Sequence, residues 1–248
     1  MIPIEAEIEE IEELDEGINK MARKISALLE NVRQEKEMQH LTELQLIQAQ
    51  VNPHFLYNTL DTIVWLIEGG MTDDAVEMIS SLSIFFRTSL SKGNDIIPLS
   101  EEERHTLSYL EIQQYRYRDI LEFEINIPKE LSGIPVPKLS IQPLAENALY
   151  HGSKNRRGKG KILIEGREEE DALVLTVSDN GQGMTPERLH EVQEAIRTGE
   201  RAGFGLAAVA ERIALYYGPG YGLSMESPQT GGCITVITLP KQEGLPCH

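Results

Sequence analysis

The hydrophobic pattern of this chain changes period near residue 120, and that change limits the folds open to it. Up to Tyr117, apolar side chains recur at three- and four-residue intervals, the spacing of one helix face. From Leu121 the run Leu121-Glu-Phe-Glu-Ile-Asn-Ile127 alternates strictly and stops at Pro128, as a half-buried strand does. Lys161–Glu165 and Leu173–Val177 then read as a hairpin, and Leu223–Ser227 and Cys233–Leu239 as strands around a turn at 229–232. Helices are expected at Leu139–Tyr150, Pro186–Ile196 and Leu206–Tyr216. Strands and helices interleave, but hairpins dominate. The expected fold class is therefore α+β and multidomain, its C-terminal part an α/β sandwich of a mixed sheet with helices on one face.

The helical half divides further. Leu14, Ile18, Met21, Ile25, Leu28 and Val32 form a heptad seam between strongly polar faces. Residues 1–47 are therefore expected to form a parallel, dimeric coiled coil; the alternative is one amphipathic helix laid on the globular part. A second stripe, Leu41, Leu44, Ile47, Val51 and Phe55, runs on to Ile67 and ends at Gly69-Gly70. Thr72-Asp-Asp74 can cap a following helix whose positions Val76, Ile79, Leu82, Phe85, Phe86 and Leu90 form a broad apolar face, with Lys92-Gly-Asn94 closing it. A hairpin over 48–95 cannot bury two such faces alone, which implies a four-helix bundle in a homodimer. Ser100 with Glu103 reads as a capping box opening a connecting helix within 96–120. The domain at 121–240 and a tail at 241–248 complete the division.

At the centre of the hairpin lies Gln48-Ala-Gln-Val-Asn-Pro-His-Phe-Leu-Tyr-Asn-Thr-Leu-Asp61. Val51, Phe55, Leu60 and Ile63 should face inward, leaving His54 on a flank that meets solvent. Pro53 interrupts this helical pattern at about 3 kcal/mol or more. A defect of that size suits a functional kink, although a surface histidine beside a tolerated proline is the plain alternative. With 40 acidic against 23 basic side chains, the net charge of −17 argues against nucleic acid and anionic lipid as partners. Two cysteines, Cys233 and Cys247, are too few for a disulfide framework, which fits a reducing compartment. No apolar run of about 18 residues is present, so no membrane contact is expected for these residues and a cytoplasmic location fits. A membrane segment could precede Met1 in a longer parent protein.

Three pieces of the C-terminal part carry chemistry together. Glu146 and Asn147 sit on the otherwise apolar helix of Gln142-Pro-Leu-Ala-Glu-Asn-Ala-Leu-Tyr-His-Gly152, where side-chain oxygens could hold magnesium. Asp179-Asn-Gly-Gln-Gly183 follows a strand, so glycines admit a ligand beside one carboxylate. Gly203-Phe-Gly-Leu206 opens a helix whose free N–H groups suit a phosphate. Taken singly, each is equally a polar flank, a turn or a hinge. Lys154, Arg156, Arg157, Lys159 and Lys161 read as a solvated basic turn, with a phosphate-facing or partner-facing cluster as the alternative.

In order and wording these pieces resemble the ATP-binding domain of sensor histidine kinases and GHKL ATPases. Together with Asn52-Pro-His-Phe-Leu-Tyr-Asn58 and Tyr109-Leu-Glu-Ile-Gln-Gln-Tyr-Arg-Tyr117, the chain resembles the LytS/YehU-like bacterial histidine kinases over about residues 40 to 240. Glu12 to Met21 is similar to the second helix of a HAMP relay module. The resemblance implies ATP and Mg2+ as cofactors, a homodimer, a response-regulator receiver domain as partner, and a parent protein anchored in the bacterial cell membrane. It makes His54 the phosphoacceptor, Asn147 the magnesium ligand and Asp179 the adenine-reading carboxylate. Gly181 and Gly183 match one glycine pair; Gly203 and Gly205, ahead of Leu206, match the pair of a lid spanning about Met184 to Gly205. Glu146 and His151 match neighbours in the asparagine motif. Two departures stand out. Phe55 replaces the acid that often follows the acceptor histidine, which leaves Asn58, one turn on, to orient the ring ahead of Asp61. Ala208 replaces a common asparagine after the lid glycines. A GHKL-type ATPase with Glu146 activating water, and a non-enzymatic dimeric scaffold, remain the rival expectations.

Overall fold

The structure, a computed structural model, describes residues 53–90, 95–118, 120–152, 158–198, 205–218 and 220–241. The expected coiled coil and HAMP-like stretch, Val51, Lys92–Asn94 and Gly203 lie outside the described residues. His54–His248 form one compact unit.

Helix α1, Pro53–Glu68, starts the described chain, so the surroundings of Pro53 on its N-terminal side also fall outside it. Its end is fixed by backbone geometry: Gly70 takes φ 75°, Gly70 N–H donates to Ile67 O (3.0 Å) and Met71 N–H to Leu66 O (2.8 Å). Those two bonds satisfy carbonyls that a helix end would otherwise leave bare. Helix α2, Thr72–Leu90, returns from there. The inward faces differ from expectation. Phe55, Thr59, Ile63 and Leu66 are buried, but Leu60 is 45% exposed; on α2, Ala75, Met78 and Phe85 are buried while Val76 and Ile79 are 57% and 50% exposed. What turns α2 is its packing on helix α3, Leu99–Arg116, through side-chain bonds as well as apolar contact. Ser81 Oγ donates to Glu111 (2.7 Å), and Tyr115 OH to Glu77 (2.8 Å).

Helix α3 does not begin with a capping box. Pro98 is its N-cap and no side chain caps it. The first free N–H groups go to tertiary partners instead: Leu99 to Ile134 O (2.9 Å) and Ser100 to Ser132 O (3.0 Å). Strand β1, Ile96–Pro98, pairs antiparallel with β3, Pro135–Pro137, a ribbon too short and proline-rich to show any alternation in sequence.

The main sheet has the order β2-β4-β5-β7-β6, with β2 (Leu121–Asn126) parallel to β4 (Gly160–Glu169). Strands β5 (Ala172–Asp179), β7 (Ile234–Pro240) and β6 (Gly222–Glu226) follow antiparallel. Register aligns Ile162 with Asp179, Ile164 with Val177, and Leu173 with Leu239. All six therefore share one face, five as core and Asp179 at its end. Helices α4 (Gln142–Asn147), α5 (Pro186–Thr198) and α6 (Gly205–Tyr217) accompany this sheet. Helix α4 is shorter than the expected Leu139–Tyr150. Leu139 takes φ 59°, outside helical space, and Ala148–Gly152 widen into a π-type turn.

Candidate functional site

His54 is exposed on α1, and Phe55, the next residue, anchors that turn. The Phe55 ring lies 4.9 Å from Phe85 and 5.5 Å from Tyr109, centroid to centroid, so three helices hold the backbone behind the imidazole. Asn58 Nδ2 lies 3.0 Å from His54 Nδ1, a hydrogen bond one helical turn long. The carboxylate of Asp61 makes no hydrogen bond or ion pair among the described residues.

The second group of residues forms at the ends of α4 and β5. Pro143, Glu146, Asn147, Tyr150, His151, Gly205 and Leu206 line a cleft of about 280 Å³. The π-type turn swings Tyr150 and His151 round to join the two residues that α4 presents. Burial raises the carboxyl of Glu146 above its ordinary range, while a hydrogen bond from Gln142 Nε2 (3.0 Å) pulls it down. The N-terminus of α6 supplies Gly205 and the buried Leu206.

Asp179 ends β5 on the face shared with the core. Its Oδ1 accepts from Gly181 N–H (2.7 Å). Burial raises its pKa, against the lowering pull of the Gly181 and Cys233 backbone N–H groups. Here glycine is a steric requirement: a Cβ on Gly152 would fall on the Asp179 carboxylate, and one on Gly181 would fall against Gly152 and the same carboxylate. The asparagine-bearing segment and the Asp-x-Gly loop thus meet with no side chain between them, backbone packed directly against the Asp179 carboxylate. Gly183 takes φ 75°, and Met184 N–H donates to Ser227 Oγ (2.8 Å), tying this loop to the end of β6.

These placements bring Glu146, Asn147, His151, Gly205 and Leu206 together in one cleft, with Asp179 and Gly181 adjoining through Gly152 and Gly183 turned toward Ser227 and Gly231-Gly232. His54 and Asn58 form a separate pair on α1. Of the expected lid, α5 is packed, with Val192 and Ala195 buried and Gln193 Nε2 donating to Met225 O (2.9 Å); residues 199–204 lie outside the described residues. Lys159 and Lys161 of the basic cluster pair with Glu122 (2.6 Å) and Glu124 (3.0 Å). Among the described residues no three His, Cys, Asp or Glu side chains gather to hold a metal, and no helix is long and apolar enough to cross a membrane.

Sequence reasoning missed the residue that holds α4 in place. Glu102, wholly buried on α3, accepts from the backbone N–H of Leu139 (2.9 Å) and Ile141 (2.8 Å), just before α4 begins. Burial raises its pKa and these donors oppose the rise. Lys138, next to Leu139 in sequence, donates to Ser89 O (2.9 Å), and Arg212 of α6 donates to Lys138 O. The sole hint in the sequence was a polar side chain where an inward helix position should be apolar.

Residues 42–121 match the family model described as histidine kinase. Residues 137–243 match the one described as histidine kinase-, DNA gyrase B-, and HSP90-like ATPase. The chain is 36% identical over 220 residues to the sensor histidine kinase YesM of Bacillus subtilis, an alignment covering 89% of this chain and 37% of that protein. It is 34% identical over 214 residues to the sensor histidine kinase BtsS of Escherichia coli K12, covering 86% and 36%. With the sensor protein LytS of Bacillus cereus it shares 32% over 235 residues, covering 94% and 40%. The chain therefore spans well under half the length of these relatives.

Proposed function

The chain belongs to the histidine kinases of the LytS and YesM kind, and we propose that it transfers the γ-phosphoryl group of ATP to His54 and from there to an aspartate of a response-regulator receiver domain. The observation that carries this reading is the exposed imidazole bonded to Asn58, in one compact unit with the cleft lined by Glu146, Asn147, His151 and Gly205.

Neutral imidazole is a nucleophile near pH 7, so positioning and charge neutralisation matter more than a strong base. Asn58 supplies the positioning. With its Nδ2 toward Nδ1 it favours the tautomer protonated at Nε2; a half-turn of the amide presents Oδ1 and accepts from Nδ1–H. The second arrangement leaves the Nε2 lone pair free to attack phosphorus, the bond to the bridging oxygen breaks, and ADP leaves with that electron pair. The phosphorylated ring then releases its Nδ1 proton to water.

Beside the cleft, Asp179 would accept from the adenine amino group, with Gly181 and Gly183 shaping the loop that follows it. Asn147 would offer its side-chain oxygen to magnesium, which takes its remaining ligands from phosphates and water. Gly205 and Leu206 would border the phosphates at the start of α6, Glu146 and His151 flank the same space, and Gly203, outside the described residues, is assigned to the phosphates by the resemblance alone. A homodimer formed by two hairpins is supported by the apolar side chains of α1 and α2 that remain exposed, Tyr57, Val64, Trp65 and Ile79 among them. The N-terminal coiled coil would deliver the signal from a sensor in a membrane-anchored parent protein, with the kinase part on the cytoplasmic side.

Incubation with γ-labelled ATP and magnesium tests the reading. Acid-labile label should appear on wild type, vanish in His54→Gln and Asp179→Asn, and fall about tenfold or more in Asn58→Ala. Label on His54→Gln protein would refute it. Release of free phosphate with no labelled protein would favour instead the ATPase in which the buried Glu146 activates water.

A further inference from the structure

The stretch Tyr109–Tyr117 carries part of the family likeness, and its polar end has no part in the chemistry above. Its position gives it one. The last turns of α3 run between the hairpin and the cleft. Gln113 and Arg116, three residues apart on one face, line a groove with Phe55, Asn58 and Thr62 of α1. On the other side stands Tyr150, which lines the cleft with Glu146 and Asn147. Gln113 hydrogen-bonds toward Tyr150, and the charge of Arg116 acts on the same hydroxyl. Gln113 therefore links the groove beside Asn58 to a residue of the cleft, and Arg116 lies within electrostatic reach of both.

The state of Arg116 is equally informative. In a chain of net charge −17 its guanidinium forms no ion pair among the described residues and rests over the Tyr117 ring at 5.3 Å. Neighbouring Arg118, by contrast, is paired with Asp74 at 2.6 Å. An exposed guanidinium with no ion pair among the described residues, at the rim of a groove shared with Asn58, is a ready anion site, with a fork of donors that matches phosphate oxygens.

We propose that Arg116, with Gln113 beside it, forms an anion subsite on α3 that holds the γ-phosphoryl group as it passes from the nucleotide cleft to His54. The subsite rests on the kinase reading and makes Arg116 a catalytic residue: charge spread over the three equatorial oxygens in the transition state falls on its donors. In the transfer the Nε2–P bond forms as the bond from phosphorus to the ADP oxygen breaks. Arg116 exchanges no proton.

The test compares wild type, Arg116→Ala, Arg116→Lys and Arg118→Ala. Two readouts are taken: the rate of His54 labelling at saturating ATP, and the affinities for ATP and ADP by calorimetry. Arg116→Ala should lose about 100-fold in labelling rate, the low end for removal of one donor to developing charge. Its ATP affinity should fall several-fold while its ADP affinity holds. Arg116→Lys should recover part of the rate as a point charge, and Arg118→Ala should match wild type. If wild type labels His54 and Arg116→Ala labels as fast, the subsite is wrong and the kinase reading stands. Equal losses of ATP and ADP affinity would also overturn the subsite, since they report a damaged cleft. If wild type takes no label, the kinase reading itself falls.

Discussion

His105 shows what a single buried side chain adds beyond its place in a pattern. It is wholly buried on α3, stacked on Phe85 at 4.7 Å, with Nε2 2.9 Å from Ser89 Oγ and no partner for Nδ1. Burial first, and the Lys138 charge second, lower its pKa to about 4. A second ring proton would be a buried donor without an acceptor. Because the folded pKa lies below the unfolded value near 6.5, the unfolded chain binds the extra proton between those values. Stability from this group is therefore full above about pH 6.5 and falls as pH drops toward 4, by roughly 3 kcal/mol. Thermal melts from pH 7 to 4 should show a steeper loss for wild type than for His105→Phe. Parallel curves would mean that the ring takes up its proton without cost. His54, Asn147 and Asp179 stand in motifs, so the sequence singles them out as candidates; His105 and Glu102 do not, since each is a buried polar residue whose surroundings depend on what a distant segment brings to it.

At the scale of elements, the meeting of α4 and β5 depends on glycine more than on any charged group. Gly152→Ala would drive its Cβ into the Asp179 carboxylate, so a loss of about 1–3 kcal/mol in stability and a marked loss of ADP affinity are expected, read by thermal melts and calorimetry. Gly205→Ala is the contrast. Its Cβ would lie 3.8 Å from Pro143 Cβ, an ordinary contact, and stability should stay within about 0.5 kcal/mol. Strand and helix types were readable from periodicity in the sheet domain, where β4 and β5 run longer than their apolar cores through the same hairpin. The start of α4 was not readable. Two N–H groups bonded to Glu102, 37 and 39 residues earlier, and a left-handed Leu139 decide it.

For the whole molecule, the open question of scale is association. Val64 is 49% and Ile79 50% exposed on the two hairpin helices, in a compact unit that already has a continuous core. If two hairpins pair through these faces, Val64→Glu with Ile79→Glu should weaken self-association at least tenfold, about 1.4 kcal/mol. A dilution series by sedimentation reads this, and an unchanged association constant would reject pairing through these helices. The amino-acid sequence alone determined the succession of helical and mixed parts, the strands of the main sheet and the nucleotide-binding motifs, because periodicity and glycine placement act over a few neighbouring residues. Tertiary structure alone decided which side of α2 turns inward, where α4 begins, and that Gln113 and Arg116 at the end of α3 share a groove with Asn58. Those outcomes depend on hydrogen bonds and packing between segments tens of residues apart, which no local pattern records.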